Sequence, residues 1–248
     1  MDRNEILAKL HKRFPSLPQN DLLRIYKARS ERMRLLMRNN IPADIRWLIE
    51  AKVRLAATPN RQFKNICVLS GFNYGKHKEF IEAAIDLGRS TAERKLHLVY
   101  RGGNRGLSKL VSKATFVRGS QVLGIIPIAL KPLGGLSDPP TGEELVVTGM
   151  QERITKMLNH ADAFIFLPGD LATLEALITL AFWPHLHIHQ KPIGLLNVNN
   201  FYDGFIAFLN HAIKNYFVPS NAKKLFICAH TANELLDLLQ AYRPELDP

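Results

Sequence analysis

Cysteine is scarce in this chain: 248 residues carry only Cys67 and Cys228. That excludes a disulfide framework and argues against a cysteine-based metal cluster. Both cysteines sit in apolar runs, where buried and inert thiols are expected. No apolar stretch approaches the roughly 18 residues that cross a bilayer, so no membrane partner is expected. The opening residues, Met1 to Leu10, are charged and lack the apolar core of a secretion signal. These absences predict a soluble, cytoplasmic protein. Repeats and low-complexity tracts are missing as well. What is present is apolar material, 46% of the residues against 22% charged. This suffices for one α/β domain with a buried core, or for one domain with a small extension.

Acidic residues are also few, and the shortage is local. Residues 1–62 hold 14 Lys and Arg against 6 Asp and Glu, whereas residues 63–248 hold 19 against 16. Most of the net charge of +11 therefore belongs to the N-terminal quarter. From Asp21 to Asn39, Leu22, Ile25, Tyr26, Met33, Leu36 and Met37 recur at helical spacing with arginines between them. A second helix is expected after Pro42, and Thr58-Pro59-Asn60 reads as a linker. Residues 1–62 are accordingly read as a basic helical extension and 63–248 as the main domain. The basic arm fits an acidic partner or nucleic acid; the commoner reading of such a stretch is a solvated helical face or a cover packed on the main domain.

After Phe63, short apolar runs alternate with amphipathic stretches. Strands are expected at Ile66–Leu69, Leu96–Tyr100, Val122–Pro127, Ala163–Leu167, Pro192–Val198 and Leu225–Cys228. Helices are expected at Lys78–Glu93, Arg153–His160, Thr173–Phe182, Asp203–Asn215 and Ala232–Gln240. This alternation predicts a parallel sheet with helices on both faces. Ligands in such sheets bind beyond the carboxyl ends of the strands.

Two of those ends are glycine loops that run into helices: Tyr100-Arg101-Gly102-Gly103-Asn104-Arg105-Gly106-Leu107 and Pro168-Gly169-Asp170-Leu171-Ala172-Thr173. A strand, a tight turn and a helix N-terminus present unpaired N–H groups to an anion, commonly a phosphate. Neither loop matches the dinucleotide fingerprint or the Walker loop, and an ordinary strand-to-helix turn uses glycine as well. His185, His187 and His189 alternate without a neighbouring acid or cysteine cluster, so no metal site is expected.

In order, spacing and context these segments resemble the LOG ("lonely guy") family, often labelled possible lysine decarboxylases. The resemblance runs from about Asn65 to Leu239. Family members read CVFCGSS, YGGGxxGLMG, MHxRK, PGGxGTxxE and IHxKPVGLLN. This chain reads Cys67–Gly71, Tyr100–Leu107, Met150–Arg153, Pro168–Ala176 and Ile188–Asn197 in the same order. The resemblance implies a Rossmann-like domain and phosphoribohydrolase chemistry, release of the base from cytokinin riboside 5'-monophosphates. It implies a nucleoside monophosphate as ligand, a homodimer, no cofactor, and no metal at the histidines. It implies that Trp183 is a core or interface aromatic. Nothing supports lysine decarboxylation, since no lysine sits in a recognisable pyridoxal phosphate motif.

By the same resemblance Arg153 stands at the catalytic arginine, and Gly102, Gly103, Gly106, Gly169 and Thr173 stand in the phosphate and substrate loops. The catalytic glutamate of the family falls on Ala176. Glu175 is adjacent, but one helical residue is a turn of about 100°, so it replaces that carboxylate only if the helix is rotated. Gln151 and Ile154 replace the family histidine and lysine, and Asp170 and Ala172 replace two loop glycines. Asp170 is expected to cap the helix as a built-in stand-in for the phosphate. Arg101 and Arg105 either pair with Asp170 or bind a phosphate from a new side. Because these changes fall on the site, they predict a diverged site with weakened or lost hydrolysis. The alternative is a non-catalytic nucleotide-binding or scaffold protein.

Overall fold

The computed structural model describes residues 63–131, 139–184 and 188–243. The extension read over 1–62, with the partners assigned to it, lies outside the described residues, as do His185 and His187. One compact unit comprises Phe63–Ala181 and the described residues from Lys191 onward, and 182–190 group apart from it.

Seven strands form a single parallel sheet: β1 (Asn65–Leu69), β2 (His97–Tyr100), β3 (Val122–Pro127), β4 (Glu143–Val147), β5 (Ala163–Phe166), β6 (Ile193–Leu196) and β7 (Phe226–Ala229). Their order across the sheet is β4-β3-β2-β1-β5-β6-β7. The helices are α1 (Lys78–Glu93), α2 (Gly106–Phe116), α3 (Met150–His160), α4 (Leu171–Phe182), α5 (Asp203–Lys214) and α6 (Ala232–Ala241).

Every strand after β1 except β4 is regained through an α-helix, which lets neighbouring strands run parallel, and the central strands are buried because helices cover both faces. In β1, Ile66 and Val68 enter a core built with Phe80, Ala84 and Leu87 of α1, Val111 of α2 and Leu235 of α6. The alternate residue Cys67 points to the other face, where α3 packs with Ile154, Met157 and Leu158 buried. Fully buried Phe164 and Phe166 each contribute about 1.5–3 kcal/mol relative to exposure. The carboxylate of Asp162 accepts hydrogen bonds from the amides of Lys64 (3.0 Å) and Asn65 (2.8 Å), which fixes the register where β1 meets β5.

Two sequence expectations change here. The strand Glu143–Val147 was not foreseen. Among the described residues it pairs on one side only, with β3, and only Val147 of its five residues is buried. Cys228 is exposed rather than buried. It lies on β7, which among the described residues is the last strand on its side of the sheet.

The chain leaves β1 toward β2 on one side and returns to its other side as β5. This reversal opens a crevice at the carboxyl ends of β1, β2 and β5.

Candidate functional site

Three loops meet at that crevice: Ser70-Gly71-Phe72 after β1, 101–106 after β2, and 167–173 after β5. Leu167 donates its amide to Leu69 (2.9 Å), which extends the ladder between the first and third loops. Ser70 Oγ accepts the amide of Ser108 (2.9 Å) and shares a 2.6 Å hydrogen bond with Ser108 Oγ, tying the first loop to α2. Gly102, Gly103 and Gly106 all take positive φ, as their place in the loop predicted. Gly106 is the most constrained. With φ at +71°, any Cβ there would lie 2.1 Å from the carbonyl oxygen of Gly71. A Cβ on Gly169 would lie 2.3 Å from Thr173 Oγ1, so a larger residue there forces the Thr173 side chain or the loop to move.

Asp170 opens α4. Its Oδ1 accepts Thr173 N (3.0 Å) and Thr173 Oγ1 (3.1 Å), and its Oδ2 accepts Phe72 N (3.2 Å). The expected cap is therefore present, and the carboxylate also bridges to the β1 loop. Burial works against its charge, but the hydrogen bonds from Phe72 and Thr173, with the charge of Arg101, outweigh burial and hold the carboxyl below the usual range. Ala172 follows without a positive φ, so the loop tolerates its side chain.

Two arginines lie across from this cap, both nearly buried: Arg101 is 6% exposed and Arg153 is 5% exposed. Arg101 donates Nη1 to the carbonyl of Ser70, and its guanidinium carbon lies 3.9 Å from the centroid of the Phe72 ring. Its Nη2 is buried with no hydrogen-bond partner, and so is Nε of Arg153. Burial lowers the basicity of both. For Arg153, burial and the nearby charge of Arg101 push the pKa down to about 10, while Glu175 and Asp170 act in the opposite direction.

Arg101 and Arg105 were expected either to pair with Asp170 or to turn to a phosphate. Among the described residues no ion pair joins either one to Asp170. The carboxylate is committed to Thr173 and Phe72, Arg101 is held by Ser70, and Arg105 is exposed at the residue before α2. Glu175 is exposed and Ala176 is 3% exposed, so the turn of about 100° between them keeps Glu175 out of the position of Ala176. Glu175 nevertheless lies close enough to Arg153 to raise its basicity. Gln151 is exposed and Ile154 buried, so neither adds a charge to the crevice.

Sequence reasoning overlooked Phe72, whose amide and ring both serve the site, and the Ser70–Ser108 pair. Their position at the end of the central strand was the available signal. Trp183 is buried, as expected, and meets His189 edge-on with ring centroids 6.5 Å apart. Among the described residues no helix is long and apolar enough to cross a membrane.

Comparison with known proteins gives the family of the chain. Residues 109–239 match the family model described as "Possible lysine decarboxylase". The cytokinin riboside 5'-monophosphate phosphoribohydrolase LOG of Oryza sativa subsp. japonica is 43% identical over 186 residues, covering 75% of this chain and 76% of that protein. The Arabidopsis thaliana enzyme LOG7 of the same description is 42% identical over 186 residues, covering 75% and 85%. Among solved structures, the molybdenum cofactor binding protein of Rippkaea orientalis superposes with a TM-score of 0.56 at 18% identity, covering 73% of this chain and 98% of that one. At that identity the likeness speaks for the fold alone. The identities above 40%, the coverage and the match of the family model agree with the motif order: this chain belongs to the LOG family, the family of the "possible lysine decarboxylase" model.

Proposed function

We propose that the crevice binds a nucleoside 5'-monophosphate and hydrolyses its N-glycosidic bond, releasing the base and ribose 5-phosphate. The observation that carries this reading is Arg153, a nearly buried guanidinium with an unpartnered Nε, set within electrostatic reach of Glu175 and Asp170. The relatives' name, phosphoribohydrolase, supports the same chemistry. Breaking the bond between C1' and the base nitrogen builds positive charge on the ribose. A carboxylate at that point stabilises the charge and orients the water that adds to C1', while the departing nitrogen takes up a proton. Glu175 is the carboxylate available for this role, and Arg153 fixes the anionic nucleotide. Ala176, where the family carries its glutamate, supplies no second acid, so slower turnover than in an enzyme with both acids is part of the reading.

The test is release of free base from AMP and from isopentenyladenosine monophosphate, followed by chromatography. Turnover should vanish with Arg153→Met and fall on the order of a hundredfold with Glu175→Gln. Because Arg153 is a desolvated, unpaired charge, the methionine variant should be no less stable than the parent. Nucleotide bound without any release of base would instead establish a binding protein that has lost hydrolysis.

A further inference from the structure

Arg101 and Asp170 are two charges at two strand ends, each where the family pattern reads glycine. Asp170 has already taken two donors at the start of α4, Thr173 N and Thr173 Oγ1, and, from the neighbouring loop, Phe72 N. An anion seeking the same N–H groups finds them bonded and meets a carboxylate charge a few ångströms away.

Across the crevice the balance is reversed. Arg101 and Arg153 are both more than nine-tenths buried, and each keeps a buried N–H without a partner, Nη2 in one and Nε in the other. The charge of Arg101 lowers the basicity of Arg153, which sets the two cations near one another. Buried donors are almost always satisfied, and an orphan at a functional crevice marks a partner supplied from outside. Two orphans on two close cations call for an acceptor with several oxygens and negative charge. The route of approach is restricted as well. The Phe72 ring covers a face of the Arg101 guanidinium and the Ser70 carbonyl holds Nη1, which leaves the Nη2 edge for the ligand.

The geometry points to a relocated phosphate seat: Arg101 and Arg153 together take the phosphate monoester of the ligand, and Asp170 fills its former place at the start of α4. This rests on the nucleotide reading above for the identity of the ligand, but the seat itself binds phosphate as such. Arg101 is then a binding residue particular to this chain, and Asp170 a residue that excludes phosphate from the helix end.

The experiment measures binding of AMP, adenosine and inorganic phosphate to the full chain by calorimetry and thermal shift. The variants are Arg101→Met, Arg101→Gly and Asp170→Asn. Methionine keeps the stem against Phe72, glycine restores the family residue, and a melting curve confirms that each folds. Loss of Arg101 should weaken AMP and phosphate by about tenfold or more and leave adenosine within about twofold. Asp170→Asn should not weaken AMP.

AMP and phosphate bound equally by the parent and both Arg101 variants would overturn the seat. So would Asp170→Asn tightening phosphate by about tenfold in the Arg101→Met background, since that places the anion at α4. Phosphate binding that depends on Arg101, in a chain that neither binds AMP more tightly than phosphate nor releases base, keeps the seat and defeats the nucleotide reading. AMP cleaved equally by parent and Arg101→Met does the reverse. If neither AMP nor phosphate binds the parent at millimolar concentration, both fall.

Discussion

Gly106→Ala tests the assembly of the crevice at its tightest point. The substitution places a methyl group 2.1 Å from Gly71 O, 2.9 Å from Phe72 C and 3.0 Å from Phe72 Cα. All three are backbone atoms, so no side chain can swing aside. An L-residue at φ +71° costs roughly 1–2 kcal/mol. Relieving the contact requires the start of α2 to move about 1 Å from the β1 loop, a distance that breaks well-made hydrogen bonds. Those at stake are Ser108 N to Ser70 Oγ at 2.9 Å and Ser70 Oγ to Ser108 Oγ at 2.6 Å, both buried. Leaving buried polar groups unpaired costs about 1–3 kcal/mol each. The expected loss is about 3–8 kcal/mol, a large part of the 5–15 kcal/mol typical of folded domains. Urea unfolding followed by far-UV circular dichroism reads it directly. Gly119→Ala is the internal control: its φ of +84° is as unfavourable, but nothing lies within 4 Å of its Cβ, so about 1–2 kcal/mol is expected. Equal losses in the two variants would refute the claim that this backbone approach holds the loops together.

The remaining expectations concern Asp170 and the thiols. Asp170→Ala should cost about 1–2 kcal/mol at pH 7, by loss of the α4 cap. Since the folded-state pKa of Asp170 is depressed, its stabilisation is present above the ordinary carboxylate pKa and is lost as pH falls through the folded value. The gap between parent and variant in urea midpoints should therefore shrink as pH falls below the ordinary carboxylate range, toward roughly half once only a neutral cap remains; a gap that widens on acidification would contradict it. Of the two cysteines, Cys228 is exposed and Cys67 buried. Native chain should label one thiol with iodoacetamide, and label it slowly, because burial together with Asp203 and Glu234 raises the Cys228 pKa. The second thiol should appear only in denaturant, and two thiols reacting alike in native buffer would show that β1 is not enclosed.

Much of the fold was legible because continuous apolar strands and amphipathic helices carry strong periodic signals. The helix Lys78–Glu93 and the strand Val122–Pro127 have the expected ends. The strand Glu143–Val147 escaped because it begins with two carboxylates and has one partner; a half-exposed edge shows no hydrophobic run. Cys228 misled for the related reason that β7 reads apolar but ends the sheet. At the site, the cap by Asp170 follows from local sequence, since its Thr173 donors are three residues away. Its bond to Phe72 N spans 98 residues, and no local pattern contains it. Arg101 was harder still. A charged residue at a strand end ordinarily reads as solvated, and only the meeting of Ser70, Phe72 and α3 around it makes it buried.

The reversal of chain direction at β1 also has a consequence for the order of events during synthesis. The β1 loop and the β2 loop leave the ribosome early, but their partner at Asp170 follows 98 residues after Phe72. No nascent fragment ending before β5 owns both halves of the crevice. Contacts of such long range form late and slow the folding of the whole. The ligand binding proposed above thus requires a chain made through the start of α4, and on that proposal a C-terminal truncation into β5 removes binding while β1 to β4 remain.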